Sequence, residues 1–113
     1  MGRIILPSRF RSHSIYLFVS DSCKPCMDMV KHLLQLRDGI LDVIEVQDLS
    51  RWAANPEASK KAQQLAYDHS ITRVPTLIVV NHVEGLEEER IKGDKKIVQN
   101  IHRLLKKYWE KNE

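Results

Sequence analysis

The stretch SDSCKPCMDMV, residues 20–30, contains both cysteines of this 113-residue chain, Cys23 and Cys26, with a lysine and a proline between them. It follows the apolar run IYLFV, residues 15–19, whose branched and aromatic residues predict a strand buried on both faces. From Pro25 onward the apolar residues recur at helical spacing. The cysteine pair is therefore predicted to lie between a buried strand and the first turn of a helix.

This position predicts a reactive thiol at Cys23. Unpaired backbone N–H groups and the dipole at a helix start favour an anion, and the ammonium of Lys24 adds to them. We therefore expect the pKa of the Cys23 thiol to lie below that of a free cysteine, which makes Cys23 the nucleophile. Cys26 lies one turn further on, on the apolar side, at an i, i+3 distance of about 5–6 Å that a disulfide can span. Cys26 can therefore resolve a mixed disulfide.

The rest of the chain alternates strand and helix without an internal repeat or a linker, so residues 1–113 are predicted to form a single domain. Strand patterns occupy residues 15–19, 40–46, 76–80 and 87–91. The last of these is polar, which predicts an edge strand paired to the third by a hairpin. Helical patterns begin at Pro25 and Pro56, and Asp94 is predicted to cap the final helix. The order is βαβαββα, an α/β fold in which the first two crossovers predict parallel relations wherever successive strands pair.

Composition and charge argue against several classes of protein. A formal charge of +3 comes from scattered Lys and Arg, and the mixed-charge stretches at residues 86–96 and 103–113 predict solvated faces and no nucleic-acid binding. No apolar run reaches membrane-spanning length, so no membrane association is expected. The apolar core within residues 1–13 is too short for a secretory signal, which favours a cytoplasmic location. In that reducing compartment, two cysteines indicate chemistry or metal binding rather than a structural disulfide.

Two separate motifs resemble the thioredoxin-like family: CKPC at residues 23–26, and ITRVPT at residues 71–76 before the third core strand. The resemblance extends over about residues 14–108. It implies a thioredoxin-like fold, with a central mixed four-stranded sheet flanked by helices. It also implies that the proline of the second motif forms a cis peptide facing the dithiol, which leaves a free backbone edge for an extended substrate segment. The implied substrate-binding positions are Lys24, Pro25, Val74 and Pro75.

The chain departs in four places from the pattern of the family that it resembles. Ser22 stands where thioredoxins have a tryptophan, and Leu17 stands where they have a buried acid. The way in which Cys26 loses and gains its proton is therefore expected to differ from that in thioredoxins. The pair between the cysteines is not the Pro-Tyr of glutaredoxins, and the crossover at residues 49–70 is longer than is usual in the family.

We interpret the chain as a thiol–disulfide oxidoreductase that acts on disulfide-containing proteins through Cys23 and Cys26 and needs no bound cofactor. A thioredoxin-reductase-type flavoenzyme or glutathione is expected to reduce it. Two alternatives stay open: a glutaredoxin-like enzyme recharged by glutathione, and a non-catalytic module with a redox-sensitive dithiol. Gly93 and Asp94 resemble the glutathione-binding end of glutaredoxins, although a helix cap explains Asp94 equally well. A metal site is not expected, because zinc needs about four ligands and the histidines lack the usual spacing.

Overall fold

The computed structural model describes residues 12–36, 40–50 and 56–109. Within these ranges the strands are β1 (His13–Val19), β2 (Ile44–Asp48), β3 (Thr76–Asn81) and β4 (Leu86–Lys92). The helices are α1 (Lys24–Leu36), α2 (Ile40–Val43), α3 (Pro56–Asp68) and α4 (Asp94–Leu104). A π-helical turn, Leu105–Trp109, directly continues α4. The elements follow the predicted order except for α2, an additional short helix before β2.

The four strands form one mixed sheet, as predicted, and their order in the sheet is β2-β1-β3-β4. Strand β1 pairs in parallel with β2 and antiparallel with β3, and β3 pairs antiparallel with β4. The parallel relation predicted for paired successive strands holds for β1 and β2, but β2 and β3 do not pair. The start of β3 lies instead beside the end of β1, with Phe18 opposite Thr76. The burial pattern explains this arrangement. Strand β3 is buried throughout and takes a central position beside β1, whereas β2 is buried only in part and lies at the edge.

The predicted second strand, residues 40–46, is only partly correct. Residues Ile40–Val43 form helix α2, and the strand runs from Ile44 to Asp48. Ile40 of α2 and Ile44 of β2 are both almost fully buried, and they belong to the same apolar layer. A short apolar run of this kind fits a helical turn as well as it fits a strand, so its period alone does not separate the two.

Side chains alternate along β1 between two apolar layers, as the strand period requires. One layer holds Ile15, Leu17 and Val19 beneath α1 and α4. The other holds Phe18 with residues of β3 and α3. The predicted apolar stripe of the last helix is confirmed, since all five of its residues are buried: Ile97, Ile101, Leu104, Leu105 and Tyr108. In the described part of the chain, no helix combines the length and the apolar character that crossing a membrane requires.

Strand β4 is the predicted polar edge strand, but its charges are paired across the fold rather than simply solvated. Glu89 accepts a hydrogen bond from the Tyr108 hydroxyl and from the Arg103 guanidinium, whose Nη2 lies 3.0 Å from Oε1. The Lys107 ammonium lies 3.6 Å from the same carboxylate. Burial alone would raise the pKa of Glu89, but these hydrogen bonds and positive charges outweigh it and lower the pKa.

This arrangement predicts a pH dependence of stability. The pKa of Glu89 is lower in the folded chain than in the unfolded chain, where it is about 4.3. The stability that the ionised Glu89 contributes is therefore complete at pH values above about 4.3. The contribution is lost as the pH falls through the lower folded value. Glu89→Gln should cost on the order of 1 kcal/mol at pH 7, because the pairs with Arg103 and Lys107 are half-exposed and weak. Chemical denaturation at pH 7 and pH 3 should show that the difference from the wild type shrinks in acid; an equal difference at both values would contradict this account.

One part of the predicted long crossover stays untested. Residues 51–55, within the crossover expected to be long, lie outside the described residues. The described portion of that crossover contains helix α3, whose buried face consists of Ser59, Ala62 and Ala66.

Candidate active site

The cysteine motif lies where β1 ends and α1 begins, as predicted. The Cys23 carbonyl accepts the first hydrogen bond of the helix, from the Met27 N–H at 3.3 Å. The Cys26 N–H points at the Cys23 Sγ, with a nitrogen–sulfur distance of 3.2 Å. Cys23 therefore occupies the N-cap position, and its sulfur stands where a capping oxygen normally accepts from the third residue of a helix.

Cys23 and Cys26 are joined as a disulfide, with Cα atoms 5.3 Å apart. The two sulfurs differ in access, because Cys23 is partly exposed whereas Cys26 is fully buried in the layer beneath α1. A partner disulfide can therefore reach Cys23 and not Cys26. The N-cap geometry also means that a thiolate formed at Cys23 by reduction would receive a backbone hydrogen bond, which favours the charged form.

The second sequence motif lies against the first, although 51 positions separate the two contacting residues. The Val74 carbonyl oxygen lies 3.9 Å from the Cys23 Sγ. The peptide bond between Val74 and Pro75 is cis, and Pro75 is buried. The Pro75 carbonyl accepts a hydrogen bond from the Gly93 N–H at 3.0 Å, and Thr76 donates from Oγ1 to the Arg73 carbonyl at 2.8 Å. These bonds hold the segment beside the cysteine pair.

The remaining predicted positions directly follow Cys23 in the chain. Lys24 and Pro25 are both exposed in the first turn of α1. Leu17 is fully buried in the same apolar layer as Cys26. Cys26 is thus packed in an apolar environment on its inner side.

Sequence reasoning missed a polar contact that supports the loop before Cys23. Ser50 follows β2 and is only 2% exposed. Its hydroxyl donates to an Asp48 carboxylate oxygen and accepts a hydrogen bond from the Asp21 N–H at 2.8 Å. The parallel pairing of β1 and β2 is the signal that could have found this contact, since parallel strands bring their carboxyl ends to the same edge.

The prediction that Asp94 caps the last helix is wrong. Gly93 is the N-cap residue, with φ at 95°, and no side-chain hydrogen bond caps the helix. A φ in this range favours glycine, and it lets the Gly93 N–H reach Pro75. Asp94 instead borders a groove of about 350 Å³ between α1 and α4, together with Asp28 and His32.

Comparisons with known proteins give matches in structure but none in sequence. No family profile matches this chain. No curated protein matches it in sequence either. The thioredoxin NaTrxh of Nicotiana alata has a similar structure, with a TM-score of 0.60 and 18% identity over 90% of this chain and 77% of that one.

Two further solved structures agree. Thioredoxin f2 of Chlamydomonas reinhardtii gives a TM-score of 0.59 at 20% identity, covering 90% of this chain and 83% of that one. A DsbH oxidoreductase gives 0.57 at 19% identity, covering 88% and 76%. These similarities show that the chain has the thioredoxin fold, with a cysteine pair at disulfide distance in the position of a CxxC motif.

Proposed function

We propose that this protein is a thiol–disulfide oxidoreductase whose reactive group is the Cys23–Cys26 pair. The observation that carries the proposal is a disulfide at the start of α1, with its outer sulfur partly exposed and 3.9 Å from the Val74 carbonyl. The thioredoxin fold of the solved structures named above supports the same activity.

The reaction begins with the dithiol. The Cys23 thiolate attacks one sulfur of a substrate disulfide, so a Cys23–substrate bond forms and the substrate S–S bond breaks, releasing one substrate thiolate. The Cys26 thiolate then attacks the Cys23 sulfur and releases the second substrate thiolate. The substrate gains two electrons, and the released thiolates take up the protons that the two cysteines gave to solvent. The product is the disulfide form of the protein.

The burial of Cys26 supports this order of events. The buried sulfur cannot meet a folded protein substrate, but it is already within bonding reach of Cys23. Helix α1 favours charge at Cys23, since the Cys26 N–H and the helix dipole face that sulfur. No bound cofactor is required for these steps.

The substrate is proposed to be an extended segment of a disulfide-containing protein. Such a segment can lie along the backbone at Val74 and present its sulfur to Cys23, while Lys24 and Pro25 border it from the other side. A thioredoxin-reductase-type flavoenzyme or glutathione is proposed as the electron donor, in the cytoplasm.

Insulin, whose chains precipitate when their disulfides are reduced, tests the proposal with dithiothreitol as the electron donor. The wild type should accelerate precipitation in proportion to its concentration, and Cys23→Ser should not. Equal rates with and without the wild-type protein would favour the non-catalytic module. Turnover that glutathione with its reductase sustains, and a thioredoxin-reductase-type flavoenzyme does not, would favour the glutaredoxin-like alternative.

Lys24→Glu should raise the pKa of the Cys23 thiol in the reduced protein. The substitution replaces a positive charge with a negative one beside the sulfur, so the thiolate becomes less favourable. Alkylation by iodoacetamide at pH 7 should slow by less than about tenfold, because the side chain is exposed and screened. Lys31→Glu, which changes another exposed lysine of α1 further from the motif, serves as the matched control. An unchanged or faster rate in Lys24→Glu would show that Lys24 does not stabilise the thiolate.

A further inference from the structure

Arg90 of β4 connects three parts of the fold on the α3 side of the sheet. Its Nε and Nη2 donate to the two Glu87 carboxylate oxygens, at 2.8 and 2.7 Å. Its Nη2 also donates to the His69 carbonyl, and its Nη1 donates to the Ser70 carbonyl at 3.4 Å. One planar guanidinium thus joins a carboxylate on its own strand to two backbone carbonyls beyond the end of α3.

These carbonyls mark the point where the chain turns toward the candidate site. Ser70 has φ at 54°, which reverses the chain after α3, and the Ile71 N–H donates back to the Ala66 carbonyl at 2.8 Å. Only residues 71–75 separate this turn from β3. The other end of that segment is held by the bond from Gly93 to Pro75. The segment carrying Val74 is therefore fixed at one end by Arg90 and at the other by the start of α4.

The negative charges around Arg90 explain why a cation is needed at this position. The carboxyl end of a helix carries partial negative charge, so a Glu87 carboxylate beside it is repelled unless a cation stands between them. Arg90 is that cation, and its hydrogen bonds are the main cause of the lowered pKa of Glu87. The His69 ring adds a contact to the same carboxylate, with Nδ1 3.4 Å from Oε1.

We propose that Arg90, held by Glu87, is a positioning residue that sets the distance between the Val74 backbone and Cys23 and so determines how well an extended substrate segment binds. This inference rests on the proposed function for its kinetic consequence. Its structural consequence, a loosened turn at residues 69–71, does not depend on activity.

The first test compares Arg90→Met with Arg103→Met. Arg103 also pairs with a β4 carboxylate, that of Glu89, but on the α4 side and away from the segment of Val74. In Arg90→Met the kcat/KM for insulin should fall by about tenfold or more, mainly through KM, since misplacing a binding group by about 1 Å can cost this much. The rate with a small aromatic disulfide, which needs no extended edge, should stay within about twofold of wild type. Arg103→Met should leave both rates unchanged.

The second test removes the repulsion together with the cation. In the double variant Arg90→Met/Glu87→Met the uncompensated carboxylate is gone, so the turn should recover part of its order and insulin turnover should rise above that of Arg90→Met. This coupling separates a positioning role from a general loss of stability, which a second substitution would only deepen.

Amide hydrogen exchange of the Ile71 N–H provides the readout that is independent of turnover. It should become at least about tenfold faster in Arg90→Met, while the amides of β1 keep their protection. Unchanged exchange at Ile71 would overturn the proposal even if the protein is an active oxidoreductase. Faster exchange in a protein without insulin turnover would support the positioning of the turn and refute the proposed function. Equal losses of rate with insulin and with the small disulfide would also overturn the proposal, because they would place the effect on the chemistry of Cys23.

Discussion

Cys26→Ser is expected to accumulate a covalent adduct with a protein disulfide substrate, linked through Cys23. The reason is that the first exchange step needs only the partly exposed Cys23 thiolate, whereas the second needs the buried Cys26 thiol. With Cys26 removed, the mixed disulfide has no internal route to resolution. Turnover should fall to the rate of the reductant alone, and mass spectrometry should find one substrate chain bound per protein.

The matched control is Cys23→Ser, which leaves Cys26 as the single thiol. Because Cys26 is fully buried, this variant should form no adduct and should alkylate slowly at neutral pH. Adducts through Cys26 in Cys23→Ser, with none through Cys23 in the converse variant, would reverse the two roles.

Phe18→Ala is expected to give a large loss of stability, about 3–5 kcal/mol, because a fully buried aromatic ring is removed from the layer between the sheet and α3. This loss is a substantial fraction of the roughly 5–15 kcal/mol that is typical of small domains, from about a fifth of it to all of it. Equilibrium denaturation in urea measures it. The layer also contains Val74, so the loss should be accompanied by weaker insulin turnover.

Tyr67→Ala is the control for this substitution. Tyr67 also belongs to the α3 side of the fold, but it is 81% exposed, so its removal should change the free energy of unfolding by less than about 0.5 kcal/mol. Similar losses in both variants would mean that the ring of Phe18 is not part of a packed layer.

The sequence predicted the buried strand β1 and the position of the cysteine site because these features have local signals. The apolar run of residues 15–19 has no polar face, so it had to lie inside the sheet, and Pro25 with the helical spacing after it located the start of α1. The segment before β3 was recognised from its resemblance to a known family rather than from any physical rule. Its contact with Cys23 depends on tertiary structure that joins distant positions.

Other features had no local signal. Helix α2 was missed because four residues containing three apolar ones fit either secondary structure, and packing of Ile40 decided between them. The role of Arg90 was missed because a charged residue on an edge strand is usually solvated, and only the return of α3 to that edge supplied its carbonyl partners. Ser50 was missed for the same reason, since its partner Asp21 lies 29 positions away.

A single-turnover experiment tests whether Cys23 and Cys26 exchange their thiols for the disulfide of a protein substrate. Fully reduced protein is mixed with an equal amount of a protein disulfide substrate without any other reductant, quenched in acid at intervals, and analysed for thiols by mass spectrometry. We expect one substrate disulfide to disappear for each Cys23–Cys26 disulfide that forms, with a transient adduct on Cys23. An intact substrate beside a protein that stays reduced, or loss of protein thiols without an internal Cys23–Cys26 bond, would contradict it.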